Sequence, residues 1–171
     1  MDKGTVVIVG GETLAGREVR EVLRESGLGV RMELVSGAAR PGSLISEEGG
    51  EALAIAALDA AVVADARILV LCGAAESSRK ALEHARARKI PPTLVDVSGA
   101  LEDEPAARVR APMVEDTAPP NVPGIQVIAH PASIALALLL KKLVELHAIR
   151  RVVAAPPGLV TMADIPIISV G

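Results

Sequence analysis

The chain has 171 residues, a formal net charge of −3 and no Phe, Trp or Tyr, while half of it is hydrophobic. This length and apolar fraction suffice for one domain with a real core, built from Ala, Val, Leu and Ile, and exclude a disordered chain. Without aromatic platforms, base stacking on nucleic acid is excluded, and the negative balance argues against phosphate-backbone binding.

Thr5-Val6-Val7-Ile8-Val9 predicts a first strand, Gly10-Gly11-Glu12-Thr13-Leu14-Ala15-Gly16 a tight glycine-rich turn, and Arg17 to Arg24 a helix. Ala15, Val19, Val22 and Leu23 fall on one helical face, and Ser26-Gly27 stops the helix. In a strand–turn–helix of this kind the backbone can approach a pyrophosphate, which the helix N–H groups and dipole then hold. Thr13 stands at the usual central glycine position, where its side chain is expected to crowd the pyrophosphate and weaken binding.

Val30 to Val35 reads as a second strand, residues 37–50 as a loop or irregular hairpin, and Leu53 to Ala64 as a short Ala-rich helix. Arg67 to Cys72 is a continuous apolar strand of the kind buried on both faces. Ser77 to Arg88 reads as a helix capped by Ser77 or Ser78, with Pro91 and Pro92 just past its end. Thr93 to Val97 predicts a fourth strand, and Leu101 to Pro123 a long proline-rich loop of a length that is often functional. Gln126 to Ala129 predicts a fifth strand, Ala132 to Leu146 an apolar helix, and Arg150 to Ala154 a sixth strand. Strands alternating with helices imply right-handed βαβ crossovers. The fold class expected is α/β: a Rossmann-type doubly wound parallel sheet in a single domain over residues 1–154. Residues 155–171 form a tail, at which a second domain would begin.

Several of these motifs together resemble the cofactor domain of the aspartate-semialdehyde dehydrogenase family. Val9 to Val19 is similar to that family's first loop and helix. Val95-Asp96-Val97-Ser98-Gly99-Ala100 resembles its Asp-Asn-Ser-Ser-Ala turn, and Ile128-Ala129-His130-Pro131-Ala132-Ser133 its Ala-Asn-Pro-Asn-Cys nucleophile segment. The following helix and Ile149 to Val153 fit as well, so the resemblance covers about Thr5 to Val153. It implies a semialdehyde-dehydrogenase-like oxidoreductase of amino-acid biosynthesis that passes hydride to NADP.

The departures from the family bear on catalysis. The family attacks its aldehyde with a cysteine thiolate, and the matching position here is Ser133. An unactivated serine is a far poorer nucleophile at neutral pH. The neighbouring asparagine is Ala132, and where the family places an anion-gripping arginine the chain runs Ala100-Leu101-Glu102. The family's second domain supplies its catalytic histidine, and residues 155–171 are too few to build one. Two expectations follow: an NAD(P)-binding domain inactive by itself, or a non-catalytic relative, a pseudoenzyme kept for binding or assembly.

The expected cofactor contacts are Gly10, Glu12, Thr13, Leu14 and Gly16 in the first loop, Ser36 and Arg40 after the second strand, and Cys72 and Gly73 at the end of the third. No acid sits at the tip of the second strand, where NAD-preferring folds place one for the ribose 2′-hydroxyl. Ser36 and Arg40 could instead hold a 2′-phosphate, so NADP, bound weakly, is expected over NAD. Cys72 reads as a buried inert thiol, Ser133 as a helix cap, His84 as solvent-facing, His147 as a cation closing its helix, and His130 as structural or solvated. Glu102, Asp103 and Glu104 read as a solvated charge run. One cysteine and three scattered histidines give no metal-ligand spacing. The lone cysteine, with Asp2 and Lys3 leading straight into a strand, fits a cytoplasmic protein. The apolar run Ile134 to Leu140 is too short to span a bilayer, so no membrane partner is expected. The β-branched tail Ile165-Pro166-Ile167-Ile168-Ser169-Val170 could add a strand to its own sheet or to a second copy. Pro166 argues for an edge position, and a homo-oligomer is expected.

Overall fold

β1 (Thr5–Val9) is apolar at every position from Val6 to Val9, and all four are buried, because it has a parallel neighbour on each side. On one side lies β2 (Arg31–Val35), with Val7 opposite Glu33 and Val9 opposite Val35. On the other lies β5 (Ala66–Leu71), with Val9 opposite Leu71. The computed structural model describes residues 4–37, 44–46, 52–115, 124–149, 151–153 and 167–168.

Outward from β5 come β6 (Thr93–Asp96), β8 (Ile125–Ile128) and β7 (Ala107–Arg110), giving the order β2-β1-β5-β6-β8-β7 with every pairing parallel. Strand period two sorts the side chains into two cores. Val7, Val9, Leu69 and Leu71 face the core that Val63 of α2 (Ala60–Ala64) and Ala81, Leu82 and Ala85 of α3 (Ala75–Arg86) complete. Val6, Ile8, Val70 and Cys72 face the other core, against Ala15, Val19 and Leu23 of α1 (Leu14–Glu25). Helices therefore cover both faces, and the sheet is the doubly wound parallel sheet that the sequence predicts.

Four local expectations are corrected. Residues 53–64 are not one helix: β4 (Ala52–Ala54) pairs antiparallel with β3 (Leu44–Ser46), and the helix waits for Asp59, whose side chain accepts the Val62 N–H at 2.9 Å. Between them Ala56 donates to Leu34 O and accepts from Ser36 N–H, which extends the sheet beside β2. The stretch 101–123 is not all loop, since it contains the edge strand β7. α3 starts two residues earlier than expected, on Ala74 with no side-chain cap, while Ser77 Oγ donates back to Ala74 O and Ser78 Oγ pairs with Ser98 Oγ. Finally, of the expected sixth strand Val152–Val153 are described, in a two-stranded sheet, and β7 is the outermost strand of the six-stranded sheet next to β8.

The chain divides into two compact units, residues 1–130 and 131–171, and the six-stranded sheet lies wholly in the first. In the second, α4 (Pro131–Leu146) opens with proline at its first position, where the missing N–H costs nothing. β9 (Val152–Val153) pairs antiparallel with β10 (Ile167–Ile168) from the tail, in a two-stranded sheet of their own.

Candidate functional site

The chain leaves β1 for β2 in one direction and crosses back to β5 in the other, so the strand order reverses between β1 and β5. In open α/β sheets ligands bind at such a reversal, beyond the carboxyl ends of the strands. Three glycines meet there. Gly10 follows β1, Gly37 lies two residues past β2, and Gly73 two past β5. A methyl at Gly10 would lie 2.5 Å from the Gly73 nitrogen, and one at Gly37 would lie 3.2 Å from Gly10 Cα and 3.3 Å from Gly73 Cα. Gly10 also has φ +84°, a conformation that favours glycine. Gly16 is fixed by the same closeness, since a methyl there would overlap the Gly10 carbonyl oxygen.

Thr13 explains its own presence. It is extended (φ −73°, ψ 162°), so no glycine is needed, and its Oγ1 caps α1 by accepting the Gly16 N–H at 3.0 Å. The hydroxyl proton is shared between Gly10 O (2.8 Å) and Cys72 O (3.1 Å). The side chain is thus turned toward the strand ends β1 and β5, a role the expected crowding of a pyrophosphate did not include. The N–H groups of Gly10 and Gly11 both donate to Val35 O, at 2.8 and 3.2 Å, and that of Thr13 to Gly10 O at 3.0 Å. Those of Leu14 and Ala15, at the first turn of α1, have no acceptor among the described residues. No acid stands in that turn, and the Leu14 side chain is 77% exposed at its mouth.

Glu12 reaches to the end of β2. Its Oε1 accepts the Gly37 N–H at 2.8 Å and the Ser36 hydroxyl at 3.2 Å. Its Oε2 is shielded from water and has no hydrogen-bond partner among the described residues. Ser36 and Gly37 also line an open cleft of about 420 Å³, together with Leu58 and, from α3, Glu76, Ser77 and Lys80. Arg40, the other half of the expected 2′-phosphate grip, lies outside the described residues.

Cys72 is 7% exposed on the α1 face of the sheet. Burial, and after it the Asp96 carboxylate, push its thiol up to about 11 from 9.0. At neutral pH it is a thiol, so it offers no nucleophile. Asp96 is wholly buried at the end of β6. Its Oδ1 accepts from Ser98 N–H (2.9 Å) and Ser98 Oγ (2.6 Å), and its Oδ2 from Leu101 N–H (2.8 Å). Leu101, 1% exposed, is thereby seated in the core. Ser133 lies in the second unit as the third residue of α4; it is exposed and inside the helix rather than capping it. His84 is half-buried, not solvent-facing, and its Nε2 is shielded with no hydrogen-bond partner among the described residues. Glu104 pairs with Arg86 at 2.6 Å, while Glu102 and Asp103 are exposed as expected.

The structure therefore brings together Gly10, Glu12, Thr13, Gly16, Ser36, Cys72 and Gly73, and sets Leu14 at the rim. Gly37 and Lys80 escaped the sequence reading, and Asp96, quoted there within the turn at 95–100, was given no role of its own. The signal for Gly37 was available: three strands each run into a glycine one or two residues past their ends. Among the described residues no group of His, Cys, Asp or Glu could hold a metal ion, and no helix is long and apolar enough to cross a membrane.

No protein-family model and no curated protein sequence matches the chain. Among solved structures it is similar to aspartate semialdehyde dehydrogenase II from Vibrio cholerae, in a crystal structure complexed with ASA, at TM-score 0.61 and 17% identity. It is also similar to a probable aspartate-semialdehyde dehydrogenase from Pseudomonas aeruginosa, at TM-score 0.63 and 23% identity. These matches cover 86% and 82% of this chain but only 49% and 42% of the two proteins, so the chain spans about half their length or less. At these identities the likeness is one of fold.

Proposed function

We propose that this chain is an NAD(P)-binding domain related to the aspartate-semialdehyde dehydrogenases, which holds a dinucleotide and does no acyl-transfer chemistry by itself. The observation that carries the proposal is the start of α1. Thr13 caps the helix at the strand-order reversal, while the Leu14 and Ala15 N–H groups remain open to an anion. A diphosphate fits that donor set: two amides on a helix dipole and no acid in the first turn. A bound nicotinamide would supply the hydride-accepting ring. The chain's own residues would anchor the diphosphate at Leu14 and Ala15 and the ribose at the end of β2.

Inactivity rests on the nucleophiles. Ser133 stands where the resemblance places a cysteine, and the Cys72 thiol stays protonated. These same facts support the second reading, a pseudoenzyme kept for binding or assembly, with the apolar tail strand β10 at or near the contact of a cytoplasmic homo-oligomer. The sequence expectation of NADP over NAD required Ser36 and Arg40, and Ser36 donates to Glu12.

Calorimetric titration with NAD and NADP tests the proposal, using Leu14→Pro as the diagnostic variant. Proline is tolerated at the first helical position and removes one of the two open N–H groups. We expect binding that weakens about tenfold for both cofactors in Leu14→Pro, the effect of one charge-assisted hydrogen bond. No binding of either cofactor at millimolar concentration, or affinity unchanged by Leu14→Pro, would overturn it. Turnover of aspartate semialdehyde with NADP and phosphate, abolished by Ser133→Ala, would overturn the inactivity.

A further inference from the structure

The open cleft of about 420 Å³ beside the strand ends has walls of two kinds. Ala57, Leu58 and Ala74 make an apolar side, and α3 adds Glu76, Ser77 and Lys80. The volume falls within the range of small-molecule sites, about 300–1,000 Å³. Gly37 joins the cleft to the glycine cluster at the strand-order reversal, where it sits against Gly10 and Gly73. A dinucleotide with its diphosphate at the start of α1 has this cleft within reach for its base. We infer that Glu76 and Lys80 read that base as adenine, the Glu76 carboxylate accepting from the 6-amino group and the Lys80 ammonium donating to N7. The inference rests on the dinucleotide reading of the α1 terminus.

Three observations lead to it. The chain has no Phe, Trp or Tyr, so no ring can stack on the base and polar contacts at its edge must orient it. Next, the two serines of the cleft have spent their protons, Ser36 on Glu12 and Ser77 on Ala74 O. Glu76 and Lys80 are exposed, and neither has a hydrogen-bond or ion-pair partner among the described residues. The side chains left to a ligand are thus a carboxylate, which only accepts, and an ammonium, which only donates. Third, the two stand four apart on α3 and so lie side by side on one face of the helix. Adenine offers the matching pair on one edge, a donor at N6 beside an acceptor at N7. A base with a 6-oxo group offers two acceptors there, and its oxygen would face the carboxylate.

The test is calorimetric titration with NAD and with nicotinamide hypoxanthine dinucleotide, which carries a 6-oxo group in place of the amine. The wild type is compared with Glu76→Gln and Lys80→Met, after circular dichroism melting has shown each variant folded. Both side chains are exposed, so neither substitution touches the core. A glutamine amide can accept or donate and so suits either base, whereas Lys80→Met removes a donor that both bases use. We expect the wild type to bind NAD at least about tenfold tighter than the hypoxanthine analogue, and Glu76→Gln to bring the two within about threefold. Lys80→Met should weaken both by about fivefold and keep the preference. A smaller preference in the wild type, a preference that Glu76→Gln leaves intact, or affinities unchanged by Lys80→Met overturns the base reading. The dinucleotide reading would then still stand on the response to Leu14→Pro. Failure of all three proteins to bind either dinucleotide overturns both.

Discussion

The Thr13 hydroxyl reaches the main-chain carbonyl of Cys72 at 3.1 Å, tying the β1–α1 loop to the end of β5 across 59 positions of sequence. The same oxygen caps α1 through the Gly16 N–H. Thr13→Ala removes both functions and is expected to destabilise by about 1–2 kcal/mol, whereas Thr13→Ser should stay within about 0.5 kcal/mol. Urea unfolding followed by circular dichroism measures this, since the chain has no Trp or Tyr to report by fluorescence. Equal losses in the two variants would show that the methyl, not the hydroxyl, is what matters.

Cys72 gives a pH-dependent prediction. With its thiol held up at about 11 rather than 9.0, the thiolate fraction at pH 8 falls about a hundredfold. The greater nucleophilicity of a more basic thiolate offsets about tenfold of that, and burial adds further protection. Iodoacetamide should therefore alkylate the native protein at least about tenfold more slowly than the urea-unfolded chain at pH 8. The native rate should go on rising with pH beyond 9, where the unfolded rate levels off. Mass spectrometry of the single cysteine reads both rates, and equal rates at pH 8 would refute the burial argument.

Asp96 is the anchor of the turn after β6. Asp96→Asn keeps an acceptor for Ser98 but can turn an amide N–H toward the Leu101 N–H, which needs an acceptor. A buried donor facing a donor is expected to cost about 2–3 kcal/mol, and Leu101 would lose its seat in the core. Denaturant midpoints test this, and a loss below about 0.5 kcal/mol would mean that the turn holds itself without the carboxylate.

Much of the fold was legible because period and punctuation agree. β1 lies between Gly4 and Gly10, β1 and β5 are rich in apolar β-formers, and α1 is amphipathic with Ser26-Gly27 past its end. What escaped lacks those marks. β7, Ala-Arg-Val-Arg, is an edge strand whose residues need no apolar face, and Val109 is exposed. β4 lies in an Ala-rich stretch that reads equally well as helix, and only the partner β3 decides. α3 begins at Ala75, after Ala74, although two serines follow, and Ser78 is spent on Ser98. At the site, the glycines and Thr13 are visible as a motif, but the meeting of Glu12 with Ser36 and Gly37 is not. It depends on two loops whose closeness only the finished sheet creates. The Asp-Val-Ser-Gly turn at 96–99 did carry a local signature, a carboxylate bonding its own backbone two residues on.

The position of β7 bears on the order in which the sheet can form. β7 precedes β8 in the chain, yet β8 lies between it and β6. As the polypeptide emerges during synthesis, β1, β2, β5 and β6 can assemble in sequence, each new strand meeting one already present. β7 cannot: its neighbour among the described strands is still to come. Until Ile125–Ile128 arrives, the open side of β6 is exposed and is the natural place for a misplaced Ala107–Arg110 to settle. The two arginines in that strand discourage the error, since settling there would commit charge to the interior of the sheet.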